Sequence, residues 1–107
     1  VLIEVNVSGE ASKFGVQPDA LDALLEQVAS LEGLELRGLM TVPEAVDRPE
    51  DARAPFARLR ELRDAGAARL GRPLPELSMG MSGDFEIAVE EGATMVRVGS
   101  ALFGARA

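Results

Sequence analysis

Residues 76–105, ELSMGMSGDFEIAVEEGATMVRVGSALFGA, hold two short apolar runs that each end in Gly and Ser, once as Met79-Gly80-Met81-Ser82 and once as Val98-Gly99-Ser100. The first run, 76–82, reads as a strand, and 94–99 reads as a second one. Between them, residues 84–91 read as a short helix stopped by Gly92. Strand, helix and strand in so few residues form a right-handed crossover unit, which sets the two strands parallel.

Working back from this unit, the same alternation repeats. Val1–Val7 is a strand with Ile3, Val5 and Val7 on one side and Glu4 and Asn6 on the other. A Gly/Ser-containing loop carries Lys13, and Pro18 opens a helix in which Leu21, Leu24, Leu25, Val28 and Leu31 share a face before Gly33. Leu34–Val42 reads as the next strand. A helix follows over roughly 49–70, burying Phe56, Leu59, Leu62 and Leu70; Pro55 inside it predicts a kink or a later true start. The order β-α-β-α-β-α-β predicts an α/β fold with a parallel sheet. Four such units match half of an eight-stranded (β/α) barrel, which takes ~250 residues; the alternative is an open four-stranded α/β sheet. No linker or low-complexity segment divides residues 1–107, so one structural unit is expected. The chain opens directly in a strand without an initiator Met, which points to a piece of a longer polypeptide.

Composition narrows the chemistry. The 107 residues are 47% hydrophobic and 27% charged, the make-up of a soluble globular protein. No apolar run approaches the ~20 residues of a membrane span, and no secretory signal is visible, so a cytoplasmic protein without membrane partners is expected. The net charge of −7 argues against nucleic acid as a partner, because that affinity is largely phosphate neutralisation by Lys and Arg. With no Cys and no His, disulfides, thiolate metal sites and the commonest general base are all missing. Tyr and Trp are absent too, and Lys13 is the only lysine.

In a (β/α)₈ barrel, function gathers at the C-terminal ends of the strands, and a phosphate site frequently forms after strands 7 and 8. If this chain supplies the last four strands, Ser82 ends strand 7 and Gly99-Ser100 ends strand 8. Backbone N–H groups at glycine turns approach an anion closely, and serine hydroxyls donate to it. The competing reading makes Ser82 the cap of the helix from Asp84, whose own carboxylate would repel an anion placed nearby. Arg97, between Val96 and Val98, reads as a buried guanidinium that needs a partner, either a ligand or an interior carboxylate such as Glu4. Asn6 reads as a structural hydrogen bonder and Lys13 as a surface residue. Met40, Met79 and Met81 read as core, with Met79 and Met81 alternatively walling a ligand pocket.

The stretches VLIEVNVSGEASKFGV, LRGLMTVPE and LSMGMSGDFEIAVEEGATMVRVGSALFG, in this order and over nearly the whole chain, resemble the C-terminal half of the pyridoxal-phosphate homeostasis proteins. That family (YggS, or PROSC) is similar in fold to the N-terminal domain of alanine racemase. The resemblance implies a (β/α)₈ barrel that binds pyridoxal 5'-phosphate (PLP), a buffering and delivery role, and no established catalytic reaction. It assigns the phosphate grip to Ser82, Gly99 and Ser100, and brings Arg97 towards the pyridine nitrogen; Met81 would wall the site and Lys13 would make a secondary anion contact. The family's Schiff-base lysine lies on an early strand outside this sequence, so Lys13 is not its counterpart. The implied partners are PLP and either the missing N-terminal half or a second copy of the chain, since an open half-barrel exposes strand edges. The competing classes are a PLP-dependent racemase-like enzyme and another phosphate-substrate barrel enzyme with its catalytic residues upstream. Racemisation needs a base on each face of the substrate, and without His, Tyr or Cys no evident pair is present.

Overall fold

A computed structural model of the chain describes residues 1–7, 15–43 and 47–99. Four strands alternate with three helices: β1 (Leu2–Glu4), α1 (Leu21–Ala29), β2 (Gly38–Met40), α2 (Arg53–Leu70), β3 (Glu76–Met81), α3 (Phe85–Glu90) and β4 (Met95–Arg97). All neighbouring strands are parallel, and their order in the sheet is β1-β2-β3-β4.

That order settles the choice between a barrel wall and an open sheet. A doubly wound sheet reverses its strand order at a switch point and carries helices on both faces. Here the order never reverses. Leu21 and Leu25 of α1, Phe56 and Leu59 of α2 and Ala88 of α3 form one core with Ile3, Val5, Leu39, Leu77 and Met79. Across the other face the register aligns Glu4, Met40, Ser78 and Met95. The first three are half-buried and Met95 is exposed. One face packed by helices and one that no helix covers among the described residues is the cross-section of a barrel wall.

The ladder is shorter than the apolar runs that announce it, although single hydrogen bonds prolong it. Arg37 N–H donates to Val1 at 3.0 Å, Val5 N–H to Met40 at 2.8 Å and Thr41 N–H to Ser78 at 3.0 Å. Leu31 does not join the face of α1: the helix has ended at Ala29, and the side chain is exposed. The helix expected from residue 49 starts later. Pro49–Ala52 form a 3-10 turn and α2 begins at Arg53, which places Pro55 in the first helical turn, where an N–H lacks an intrahelical partner in any case. Gly71, at φ 68°, ends α2 in the left-handed conformation.

Arg53 then fastens α3 to α2. Its guanidinium reaches Glu50 at 2.5 Å, Glu90 at 2.6 Å and Glu91 at 2.7 Å, while Arg60 binds the other Glu91 oxygen at 2.6 Å. The hydrogen bond from Arg53 holds the Glu91 carboxyl below its ordinary value, against the opposing effect of desolvation, and Arg60 adds to it. Glu50 is lowered by the same guanidinium. This network lies on the helical side and fixes the element that follows the β3 turn.

Candidate functional site at the C-terminal strand edge

Pairing of β3 with β4 contains one extra residue on β3. Ser78 faces Met95, but Met81 faces Arg97, three positions on against two. Gly80 makes this possible. Its φ of 107° suits glycine alone, and a Cβ there would lie 2.7 Å from the Ala88 Cβ and 3.1 Å from the Val96 Cγ1. The glycine of Met-Gly-Met-Ser is therefore required first by the backbone. Its consequence is that Ser82 and Gly99 fall one and two positions beyond a paired couple, on adjacent strand ends.

The turn after β3 is organised by Asp84. Its Oδ1 accepts the Met81 N–H at 2.8 Å, and its own N–H donates to the Met81 carbonyl at 3.1 Å. Asp84, not Ser82, holds the N-cap position of α3, and its carbonyl accepts the first helical bond from Ala88 N–H at 3.1 Å. The cap position therefore falls two residues beyond Ser82, with the Asp84 carboxylate folded back onto the strand. Gly83 and Gly99 have open space where a Cβ would be.

Arg97 corrects the sequence expectation. It is exposed, because the uncovered face of the sheet leaves room beside β4. Its Nη2 donates to the Thr41 carbonyl at 3.4 Å, reaching across β3 to the end of β2. Met79 is fully buried in the core, whereas Met81 is 48% exposed at the strand edge. Asn6 is buried, as a structural hydrogen bonder would be. The structure thus gathers Met81, Ser82, Arg97 and Gly99 at one edge; Ser100 and Lys13 lie outside the described residues.

Sequence reasoning missed Thr41. It is 1% exposed, its Oγ1 donates to the Val5 carbonyl at 2.7 Å, and its own carbonyl receives Arg97. A β-branched residue at a strand end carries no signal that separates this role from ordinary strand preference.

A cleft of about 210 Å³ opens on the helical side of the β3–α3 turn, lined by Pro49, Ser82, Gly83, Asp84, Phe85, Glu86 and Ile87. It shares only Ser82 with the strand-edge cluster, and its two carboxylates disfavour an anion. Among the described residues no acidic group of metal-binding size occurs, and no helix is long and apolar enough to cross a membrane.

Comparison with known proteins adds an independent line. The family model of the alanine racemase N-terminal domain matches residues 1–107. The pyridoxal phosphate homeostasis protein of Aquifex aeolicus is 54% identical over 106 residues, and that of Pseudomonas aeruginosa 55%. These alignments cover 99% of the chain but only 46% and 44% of the two relatives, so the chain spans about half their length. The structure of PipY from Synechococcus elongatus with PLP bound superposes with a TM-score of 0.82 at 35% identity, covering 96% of this chain and 48% of that one.

Proposed function

The chain belongs to the alanine racemase N-terminal domain family, and from that premise we propose that it forms the second half of a (β/α)₈ barrel that binds PLP and serves PLP homeostasis in the cytoplasm. In this reading the chain supplies the phosphate-holding part of the site, and the other half of the barrel covers the open face of the sheet. One observation carries it: the Met81–Arg97 pairing sets Ser82 and Gly99 on neighbouring strand ends. The similarity to proteins named for PLP homeostasis, and to PipY with PLP bound, supports the choice of ligand.

The residues present fit such a group in part. Ser82 offers a hydroxyl, Gly83 and Gly99 leave backbone open to close approach, and Arg97 is a cation at the same edge. Ser82, Gly99 and Ser100 would hold the phosphate, Met81 would wall the ring, and Arg97 would face the ring nitrogen. Bound PLP supplies an aldehyde for a lysine amine and an electron-withdrawing ring. The sole lysine of the chain, Lys13, is not assigned to that bond, which falls to the other half. A catalytic reading receives no support from this half, which has no His, Tyr or Cys to act as paired bases.

PLP titration of the full-length protein tests the assignment. Ser82→Ala and Ser100→Ala should each weaken binding by roughly 1–3 kcal/mol, the range for charge-assisted hydrogen bonds. Unchanged affinity in both single variants and in the double would remove the site. Borohydride trapping with peptide mapping tests the division of labour: the pyridoxyl adduct should fall on a lysine outside residues 1–107, and an adduct on Lys13 would overturn the mapping.

A further inference from the structure

We infer that Thr41 is a positioning residue of this site, acting on the ligand through Arg97; the inference rests on the proposed reading in which Arg97 faces bound PLP. Thr41 never reaches the strand-edge cluster with its own side chain, yet three hydrogen bonds converge on it from three strands. Its N–H donates to Ser78 of β3 at 3.0 Å, its Oγ1 to the Val5 carbonyl beyond β1 at 2.7 Å, and its carbonyl accepts Arg97 Nη2 from β4 at 3.4 Å.

The geometry divides the work. A strand end is held by its ladder, and the paired residues of β2 stop at Met40. Beyond that point the Thr41 N–H is held by Ser78 and its side chain by the hydroxyl bond to Val5, both Thr41 and Val5 being 1% exposed, where water does not compete. With the amide nitrogen and the Cβ both anchored, the Cα and the carbonyl carbon attached to it are held in place, and with them the acceptor that Arg97 uses. Arg97 is an exposed side chain with many rotamers, and its 3.4 Å bond is a long one. It holds the guanidinium over the strand ends only if the acceptor stays aimed at it. A planar guanidinium with a fixed acceptor behind it presents its remaining N–H groups in one direction. The Thr41 hydroxyl is the device that keeps that acceptor in place.

The test uses the full-length protein, with PLP affinity and the visible absorption band of the bound PLP as readouts. Thr41→Val retains the shape and removes the donor. It should raise the Kd for PLP roughly twofold to tenfold, the span of one neutral hydrogen bond, and move the band in the same sense as Arg97→Met. Thr41→Ser should restore both. In an Arg97→Met background, Thr41→Val should add no further loss, since a residue acting through Arg97 is silent without it. Ile3→Val, a core change in β1, controls for lost stability and should leave the band in place. If Thr41→Val binds PLP as the parent does while Arg97→Met is impaired, or if the two losses add in full, the positioning role is overturned and the proposed function stands. If Arg97→Met binds PLP unchanged with an unchanged band, the reading of Arg97 fails and the role of Thr41 falls with it.

Discussion

Replacing Gly80 by Ala probes the turn on which the candidate site depends. The residue sits at φ 107° in the irregularity that pairs Met81 with Arg97. Two costs apply to an added methyl. An L-residue in left-handed backbone loses roughly 1–2 kcal/mol. The methyl also meets the Ala88 Cβ at 2.7 Å, the Val96 Cγ1 at 3.1 Å and the Phe85 Cα at 3.3 Å, and overpacking of a filled site costs typically 1–3 kcal/mol. Neither Ala88 nor the Phe85 backbone has a flexible end to withdraw, so the two add to about 2–5 kcal/mol. With a urea slope of roughly 2 kcal/mol per molar, the unfolding midpoint of the full-length protein should fall by about 1–2.5 M. Gly83→Ala is the matched control: its Cβ meets nothing within 4 Å, and its unfolding free energy should stay within about 0.5 kcal/mol of the parent. A Gly80→Ala protein as stable as the control would refute both the left-handed turn and the contact with α3. The argument for why Ser82 stands beside Gly99 would go with them.

Gly99→Ala separates binding from folding: nothing lies within 4 Å of its Cβ, so thermal stability should hold within about 0.5 kcal/mol while PLP affinity drops several-fold, and retained affinity would count against a phosphate there. Gly38→Ala pushes a methyl into the Glu76 carbonyl of the neighbouring strand; the backbone cannot yield cheaply, and the variant should be insoluble or unfolded by circular dichroism. Phe56→Ala, at a fully buried position under the sheet, should cost about 3–5 kcal/mol in urea unfolding. Glu91→Gln tests the helix-side network by pH. Its carboxyl is depressed in the folded state by Arg53 and Arg60, so its contribution is complete above the ordinary glutamate value and is lost as pH falls through the depressed one. The stability gap between parent and Glu91→Gln should therefore be present at pH 7 and close on acidification, and a gap independent of pH would exclude the network as its source.

The order of elements was legible because the apolar period changes from two to near 3.6 and back, and because Pro18, Gly33, Gly71 and Gly92 punctuate the changes. The placement of Ser82 and Gly99 on neighbouring strand ends was legible for a related reason: both follow apolar runs of parallel strands, and parallel strands end at the same edge. What failed depended on partners far away in sequence. Arg97 between two valines reads as buried, yet the strand has one uncovered face, and the side chain lies along it to reach a carbonyl 56 residues earlier. Ser82 suits an N-cap as well as Asp84 does, and only the fold shows the Asp84 carboxylate taking the Met81 amide. Thr41 was hidden because its role is spread over Val5, Ser78 and Arg97, none of them near it in the chain.

The free edge of β1 bears on how a second half would join. Asn6 N–H donates to the Val16 carbonyl at 2.8 Å, and Val16 N–H donates to the Glu4 carbonyl at 2.9 Å. Val5 N–H meanwhile serves Met40. Alternate residues of a strand present their backbone groups to opposite edges, so Val16 occupies the edge of β1 that faces away from β2. That occupation begins at Glu4, which leaves only the edge groups ahead of it for a further strand. A strand completing the barrel on this side must therefore pair low on β1, towards its N-terminal end, and Val16 closes the upper part. Val16 lies on the β1 side of the sheet, so this constraint leaves the β3–β4 side, where Met81, Ser82, Arg97 and Gly99 gather, untouched.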